Sequence, residues 1–321
     1  MANKVNTKLL SMAGQGGSAF GVLLMELMKE RNDIMVLSAD MSTPAGLDKF
    51  KAAYPDNFMN VGIAEQNMIG IAAGMASEGY KVICVAQACF ITMRCFEQIR
   101  QYAGYMKFPM VLVGIGSGLS LQYMGNTHYS IEDISLMRMV PGMEVMAPCD
   151  SLEAIKVLEY AINSTNASYI RLFGGTNIPV VHAVDYEFNN SKPIELREGK
   201  DIAILAIGSM VRQALDVAEN ISANSIDCEV VGVPYISVPF SAIEKSIIGK
   251  KLVLTLEEHR VTGGFGSYIN ETLIKNKCNV SLLKIGIDDD LFPHPGSYPY
   301  LLKQCGLDVE SITGRILSSL K

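Results

Sequence analysis

The chain has 321 residues, of which 49% are hydrophobic and 19% are charged, with a formal net charge of −6. This length is sufficient for two domains with separate cores, and the composition excludes a disordered chain. The acidic balance argues against a nucleic-acid or membrane-surface partner, and apolar runs such as 202–207 are too short to cross a bilayer.

The cysteines and the amino terminus indicate a cellular location. Seven cysteines form no Cys-x-x-Cys pair and lie in apolar segments, which is typical of reduced core thiols. The first residues lack the apolar core of a secretion signal. Four histidines without ligand spacing predict no metal site in this chain. We therefore expect a cytoplasmic protein.

Strands and helices alternate from residue 8 onward. The apolar patterns predict strands at 34–40, 58–61, 81–86, 110–115, 143–148 and 168–172, and helices at 8–30, 68–76, 87–105, 131–140 and 150–162, with Asp150 or Ser151 capping the last helix. This alternation is typical of a mostly parallel sheet with helices on both faces, which is a doubly wound α/β domain. We assign this domain to residues 1–178.

The hydrophobic periodicity ends at residues 179–199, where prolines and Asn189-Asn190 occur. This segment is predicted to be a linker. Residues 200–321 then form a second, smaller α/β domain. Its predicted strands are 202–207, 228–233, 251–256 and 280–287, and its predicted helices are 211–221, 241–248, 267–275, 297–305 and a last one beyond Gly306.

One acid, Glu65, stands immediately before a nearly uncharged run that Gly79 ends. The run predicts a helix buried on most sides. Gly70 and Gly74 share one face, where another backbone can come close. Two interpretations of Glu65 stay open: a first-turn acid that complements the helix dipole, or a carboxyl in an apolar site that shares a proton with a ligand.

Further candidate residues lie near strand ends. Asp40 follows a buried strand, where open α/β sheets bind ligands, although it can also cap a turn. Phe90, Met93 and Phe96 recur at three-residue steps, a spacing more common in cores than in binding sites. His128 lies in a glycine-rich loop after a predicted strand, a frequent place for function, or it merely orders that loop.

Several segments in the same order resemble the pyrimidine-binding domain of the transketolase family, which deoxyxylulose-phosphate synthases share. They are Gly-Ile-Ala-Glu-Gln-Asn at 62–67, the segment 90–100, Gly-Asn-Thr-His at 125–128 with Glu-Asp-Ile at 132–134, and Met-Ala-Pro-Cys-Asp at 146–150. Glu-Glu-His-Arg at 257–260 with Gly-Gly-Phe-Gly at 263–266 resembles the family's C-terminal domain, where it is interfacial or shapes a turn. The resemblance covers nearly the whole chain.

The resemblance implies an enzyme that transfers a two-carbon ketol unit between sugars with thiamine diphosphate. Glu65 would hydrogen-bond N1′ of the cofactor's aminopyrimidine and so activate it, and His128 would face substrate hydroxyls. The other implied cofactor contacts are Asp40, Ile63, Phe90, Met93 and Phe96, with Met93 at a position that is usually aromatic.

The family's Gly-Asp-Gly…Asn signature for Mg²⁺ and diphosphate is missing from the sequence. The resemblance therefore implies the C-terminal subunit of a split transketolase. A partner N-terminal subunit would hold the diphosphate and Mg²⁺, and the two kinds of chain would form an α2β2 assembly with self-association of this chain.

The sugar-binding positions of the family also differ here. Met124 stands where the family has an acidic residue, and the position of a family histidine falls near Gly116. Gly17 and Gly174 stand where the family has two phosphate-binding arginines. Arg171 is either a partial replacement or a surface charge at a strand end. We expect a deoxy, branched or nucleotide-linked sugar, because several charge-assisted contacts to a pentose phosphate are lost.

Three alternatives remain at this point. The chain can be the β subunit of a 2-oxoacid dehydrogenase or part of a deoxyxylulose-phosphate-synthase-like enzyme. It can also be a non-catalytic binding or regulatory subunit, against which the presence of Glu65 argues.

Overall fold

The computed structural model describes residues 7–175 and 178–321, so part of the predicted first domain lies outside the described residues. The first domain contains a six-stranded sheet in the order β2-β1-β3-β4-β6-β5, in which every pairing is parallel. Its strands are β1 (Ile34–Ser38), β2 (Phe58–Asn60), β3 (Lys81–Gln87), β4 (Met110–Ile115), β5 (Glu144–Met146) and β6 (Ser168–Leu172).

Helices cover both faces of this sheet, as the alternation predicted. They are α1 (Thr7–Ala13), α2 (Phe20–Leu27), α3 (Asp48–Ala53), α4 (Glu65–Ser77), α5 (Phe96–Ile99), α6 (Asp133–Arg138) and α7 (Ser151–Asn163). The N-cap of α7 is Asp150, whose carboxylate accepts a hydrogen bond from the Glu153 amide at 2.9 Å.

Two predicted continuous helices are interrupted by π-helical turns. The helix predicted at 8–30 contains the turn Gly14–Ala19, and the one predicted at 87–105 contains Phe90–Arg94 and Arg100–Tyr105. An extra residue per turn widens the helix locally, which periodicity in the sequence does not reveal. The turn Phe90–Arg94 matters for the site described below.

The helix predicted at 68–76 to be buried on most sides is fully buried on one face, and Ile71, Met75 and Ala76 are half-buried against the same core. Helix α4 buries one face, through Met68, Ile69, Ala72 and Ala73. A Cβ atom placed at Gly70 or Gly74 would meet no atom of the described residues within 4 Å. Gly79 has φ 93° just beyond the helix, a left-handed conformation that glycine adopts without strain.

The second domain has a five-stranded sheet in the order β11-β10-β8-β9-β7. The strands are β7 (Ile194–Arg197), β8 (Ile202–Ala206), β9 (Cys228–Gly232), β10 (Leu252–Arg260) and β11 (Leu282–Ile287). The helices are α8 (Met210–Ser222), α9 (Phe240–Ile243), α10 (Phe265–Lys275), α11 (Tyr298–Gln304) and α12 (Val309–Ser319). No helix among the described residues is long and apolar enough to cross a bilayer.

Three elements of this domain differ from the predictions. Strand β7 is an antiparallel edge strand inside the predicted linker, where four residues after a proline give too short a pattern to recognise. Strand β10 continues to Arg260, because its last polar residues find partners in the interior. The helix predicted at 241–248 shrinks to the four residues of α9 and a 3₁₀ turn.

The two domains share a continuous hydrophobic core. Phe265 and Ile269 of α10 belong to the same buried cluster as Ile134 and Val145 of the first domain. Backbone hydrogen bonds also cross the boundary, since the Ile236 amide donates to the Val145 carbonyl at 3.0 Å. The carboxyl ends of the first sheet's strands therefore face a cleft with a fixed wall from the second domain.

Candidate active site

Glu65 lies at the amino end of α4, close to the carboxyl end of β2. Its side chain is only 3% exposed, and one carboxylate oxygen accepts a hydrogen bond from Arg94 Nη1 at 2.7 Å. The Arg94 side chain itself is 43% exposed. The amino end of a helix stabilises a negative charge, which agrees with the dipole interpretation of Glu65. Proton sharing with a ligand stays a prediction.

Arg94 connects Glu65 to the aromatic residues of the site. Its guanidinium carbon lies 4.3 Å from the centroid of the Phe90 ring, within range of a cation–π contact. The π-helical turn places these two residues, four apart, on the same side. The His128 ring contacts the Phe90 ring edge-on, with ring centroids 5.5 Å apart. The Nδ1 atom of His128 lies 2.8 Å from Thr127 Oγ1.

Arg94 thus joins Glu65 to Phe90, and Phe90 in turn contacts His128. The sequence motifs did not single out Arg94. The available signal was its position inside the segment 90–100, four residues after Phe90.

A cleft of about 470 Å³ opens beside these side chains. Met93, one of the predicted cofactor contacts, lines it and is 43% exposed. The remaining lining combines polar and aromatic groups from both domains: Cys89, Phe90, Arg94, Asn126, Thr127, Tyr129, Ile131, Glu132 and Phe292. An apolar floor with a few polar groups is the usual make-up of a small-molecule site.

Of the predicted site residues, only Phe90 and Met93 line this cleft; Glu65 and His128 reach it through contacts with lining residues, and Asp40, Ile63 and Phe96 also lie outside the lining. Asp40 is exposed at the end of β1 with φ 56°, and its carboxylate accepts a hydrogen bond from Asn60 Nδ2 at 3.2 Å. Ile63 is 76% exposed and precedes Glu65 by two residues. Phe96 is half-buried and packs against the core of the first domain.

A side chain at two of the altered sugar-binding positions would crowd its neighbours. A Cβ at Gly116, whose φ is 78°, would lie 2.8 Å from carbons of Leu121. A Cβ at Gly174 would lie 3.1 Å from Ser120 Oγ and 3.3 Å from the Gly116 backbone. Met124, by contrast, is 52% exposed. Packing, together with the positive φ of Gly116, therefore disfavours a side chain at the positions of the missing histidine and of one missing arginine, and we call Gly116 and Gly174 the closed positions.

The interpretation of Arg171 as a surface charge was wrong. The side chain is 4% exposed, so it is no surface charge. It donates to both Asp133 oxygens, at 2.9 and 3.2 Å, and to the carbonyls of Ser130 and Glu258. Because Nε and Nη2 are engaged inside the protein, Arg171 connects the two domains, and its role as a partial replacement for a phosphate-binding arginine stays a prediction.

The end of β10 continues this buried polar network. Glu258 accepts hydrogen bonds from the Leu119 amide and from the hydroxyls of Ser209 and Tyr298, each at 2.5 Å. Glu257 accepts from the Phe265 and Gly266 amides at 2.7 and 2.8 Å.

His259 is fully buried in the same network. It accepts a hydrogen bond from the Ser135 amide, and its Nδ1 lies 2.7 Å from the Arg260 carbonyl oxygen. Burial lowers the pKa of His259 to about 4 and raises that of Glu257 to about 7. Glu258 and His259 thus connect the two domains of one chain, and a place for these residues in a subunit interface stays a prediction.

One further cluster contains the residue types that bind metals. The ligating atoms of Cys149, Glu153 and His182 lie within 4.8 Å of one another. Both Glu153 oxygens already accept hydrogen bonds, from the Cys149 amide and from Tyr186. The positive amino end of α7 also opposes a cation here. We interpret the cluster as a link between α7 and the segment that joins the domains.

Comparison with known proteins identifies the family. The transketolase pyrimidine-binding domain matches residues 15–173, and the transketolase C-terminal domain matches residues 192–312. A putative transketolase C-terminal section of Methanocaldococcus jannaschii is 35% identical, over 94% of this chain and 95% of that protein. A subunit of the apulose-4-phosphate transketolase of Actinobacillus succinogenes is 34% identical, over 91% of this chain and 94% of that protein.

A solved structure described as a split-gene transketolase, an inactive β4 tetramer, superposes with a TM-score of 0.82. It is 32% identical, and the match covers 94% of this chain and 96% of that one. These matches confirm the resemblance that the sequence motifs indicated. The chain belongs to the transketolase family and is a transketolase-type subunit comprising the pyrimidine-binding and C-terminal domains.

Proposed function

We propose that this chain is the pyrimidine-binding subunit of a thiamine-diphosphate-dependent transketolase that transfers a two-carbon ketol unit between sugars. The observation that carries the proposal is the buried Glu65 carboxylate, which Arg94 joins to the Phe90 ring that lines the cleft. When bound, the cofactor supplies an electron sink for the carbon fragment. In this proposal Glu65 holds a proton at the pyrimidine N1′.

The residues present fit an aminopyrimidine. The guanidinium of Arg94, a planar group with in-plane nitrogens, already binds the Glu65 carboxylate while it lies over Phe90. The same carboxylate and ring can therefore accept another planar nitrogen-containing group. His128 stands next to Phe90, where we propose that it contacts sugar hydroxyls. Asp40, Ile63 and Phe96 remain predicted cofactor contacts.

The proposal requires a partner N-terminal subunit that holds the diphosphate and Mg²⁺, in an α2β2 assembly. Support comes from the Actinobacillus succinogenes relative, which is named as one subunit of a transketolase, and from the split-gene structure, which is described as an inactive β4 tetramer. That tetramer also supports self-association of this chain. The seven cysteines are free thiols, which supports a reducing cytoplasmic location.

Replacing Glu65 with Gln tests the function. In the complex assembled with the N-terminal subunit, we expect Glu65→Gln to lower turnover about 10²–10⁴-fold, the usual contribution of a proton-transferring group. Size-exclusion chromatography should show unchanged assembly. The matched control is Glu78→Gln, an exposed acid at the other end of α4, which should retain activity. Normal turnover of Glu65→Gln would instead favour a non-catalytic binding or regulatory subunit.

For the substrate, we propose a sugar other than an ordinary pentose phosphate. The closed positions Gly116 and Gly174 support this, because two potential contacts to hydroxyl or phosphate groups are unavailable to a ligand. The relative from Actinobacillus succinogenes is named for apulose-4-phosphate.

A panel of donors and acceptors, assayed with the assembled enzyme, tests the substrate. We expect deoxy, branched or otherwise modified sugars to be preferred. Efficient turnover of xylulose 5-phosphate with ribose 5-phosphate would contradict the proposal. Release of CO₂ from a 2-oxoacid would instead assign the chain to the 2-oxoacid dehydrogenases or to deoxyxylulose-phosphate-synthase-like enzymes.

A further inference from the structure

Arg94 contacts the two groups that the proposed function assigns to the cofactor's pyrimidine. It donates a hydrogen bond to Glu65 at 2.7 Å, and its guanidinium carbon lies 4.3 Å from the centroid of Phe90. It also lines the cleft. In this ion pair the Glu65 side chain is 3% exposed and the Arg94 side chain is 43% exposed.

A guanidinium group and an aminopyrimidine can be bound by the same kinds of side chain. Guanidinium is planar, presents N–H donors in its plane and stacks on aromatic faces. An aminopyrimidine is also planar, with ring nitrogens and an amino group in its plane. One face of Phe90 cannot stack on both groups at once, so a pyrimidine entering on that face must displace the Arg94 side chain.

The exposure of Arg94 makes this displacement possible. Its outer part already reaches solvent, and a long side chain at the cleft has free space of about 470 Å³ beside it. Glu65, by contrast, is the first residue of α4 and is held by the helix. The movable member of the pair is therefore Arg94.

We propose that Arg94 is a displaceable occupant of the pyrimidine site and that it sets the affinity for the cofactor. In the cofactor-free subunit it compensates the Glu65 charge and covers Phe90. Cofactor binding must break both contacts, so their free energy opposes binding. This inference rests on the proposed function, since it assumes that Glu65 and Phe90 receive the pyrimidine.

The test compares cofactor binding by wild type and Arg94→Met in the complex with the N-terminal subunit. Thiamine diphosphate with Mg²⁺ is titrated by isothermal calorimetry. Exposed ion pairs and cation–π contacts are individually weak, so we expect Arg94→Met to lower the Kd about three- to tenfold. Arg94→Lys keeps the charge but loses the planar face, and we expect its Kd to lie between the two.

Arg212→Met is the matched control. Arg212 lies on α8 and pairs with Asp216 at 2.6 Å, with 47% of its side chain exposed. Its removal should leave the Kd unchanged. A Kd for Arg94→Met that is unchanged or higher would overturn the inference, and a higher value would mean that Arg94 helps to hold the cofactor. If Arg94→Met does not fold, the Kd of Arg94→Lys decides in the same way.

The Glu65→Gln experiment separates the two possible failures. Lost turnover in Glu65→Gln combined with weaker binding by Arg94→Met would reject the role of Arg94 alone. Retained turnover in Glu65→Gln would reject the proposed function, whatever the affinity of the Arg94 variants.

Discussion

Two regions of this molecule contain buried carboxylates, and they differ in how those carboxylates are partnered. At the cleft, Glu65 has one ion-pair partner, Arg94, whose side chain is half in solvent. At the domain boundary, Glu258 has three donors, and the Arg171–Asp133 pair is 4% and 0% exposed. The first arrangement can exchange its partner for a ligand, whereas the second cannot do so without separating the domains.

This difference shows that burial and perturbed pKa values alone do not locate the chemistry. Strong perturbations occur in the boundary network, where burial lowers the pKa of His259 and raises that of Glu257. Structural networks perturb ionisable groups as strongly as active sites do. A buried carboxylate with a single, movable partner beside a cleft is the more specific sign here.

The largest expected effect comes from removing one member of the boundary network. Arg171→Met leaves the Asp133 charge buried without its partner. We expect the free energy of unfolding to fall by about 3–5 kcal/mol, the usual cost of breaking a buried ion pair from one side. Urea denaturation followed by circular dichroism measures it.

Arg212→Met provides the comparison for this prediction, because it removes an exposed pair and should change stability by less than about 1 kcal/mol. Unchanged stability of Arg171→Met, accompanied by a higher KM for the sugar, would mean that Arg171 contacts substrate after all.

A smaller, pH-dependent effect is expected at His259. Its pKa is lowered from 6.5 to about 4, mainly by burial, with the charge of Asp133 opposing this shift and that of Arg171 adding to it. The unfolded chain therefore binds a proton below pH 6.5 that the folded chain does not. As the pH falls from about 6.5 to about 4, this residue should remove about 1.4 kcal/mol of stability per pH unit.

Urea denaturation of wild type and His259→Asn between pH 7.5 and 4.5 measures this contribution. The stability difference between them should shrink toward low pH. His294→Asn, which replaces an exposed histidine, should follow the wild-type slope. Parallel pH profiles for wild type and His259→Asn would show that His259 is protonated in the folded protein.

The smallest effect is expected at the cleft. Phe90→Leu removes the half-buried ring and keeps an apolar side chain. Aromatic contacts contribute about 0.5–1.5 kcal/mol beyond their buried area, so we expect the Kd for thiamine diphosphate to rise about two- to tenfold. The unfolding midpoint should hardly change. A large loss of stability without a change in Kd would place Phe90 with the structural residues.

The sequence was sufficient for the parts that depend on local pattern. Strands β4 and β6 have the predicted bounds, and Asp150 caps α7 as one of two candidates. Local sequence patterns do not predict contacts between residues that are distant in the sequence. Arg171 pairs with a residue 38 positions away, and Arg94 with one 29 positions away.

For the site, the motifs indicated Glu65, Phe90 and His128, which the structure places in one chain of contacts. Motifs could not show that the Arg94 side chain lies between Glu65 and Phe90, because Glu65 is 29 positions away in the sequence. They also could not show that Phe292 of the second domain forms a wall of the cleft.

The closed glycines have a consequence for redirecting this enzyme. Introducing arginine at Gly174 would force the new side chain against Ser120 and the Gly116 backbone, and a residue at Gly116 would press on Leu121. The loop 116–121 and position 174 therefore constrain each other. Engineering toward common sugar phosphates therefore calls for changing the loop and position 174 together, whereas the exposed Met124 can be replaced singly.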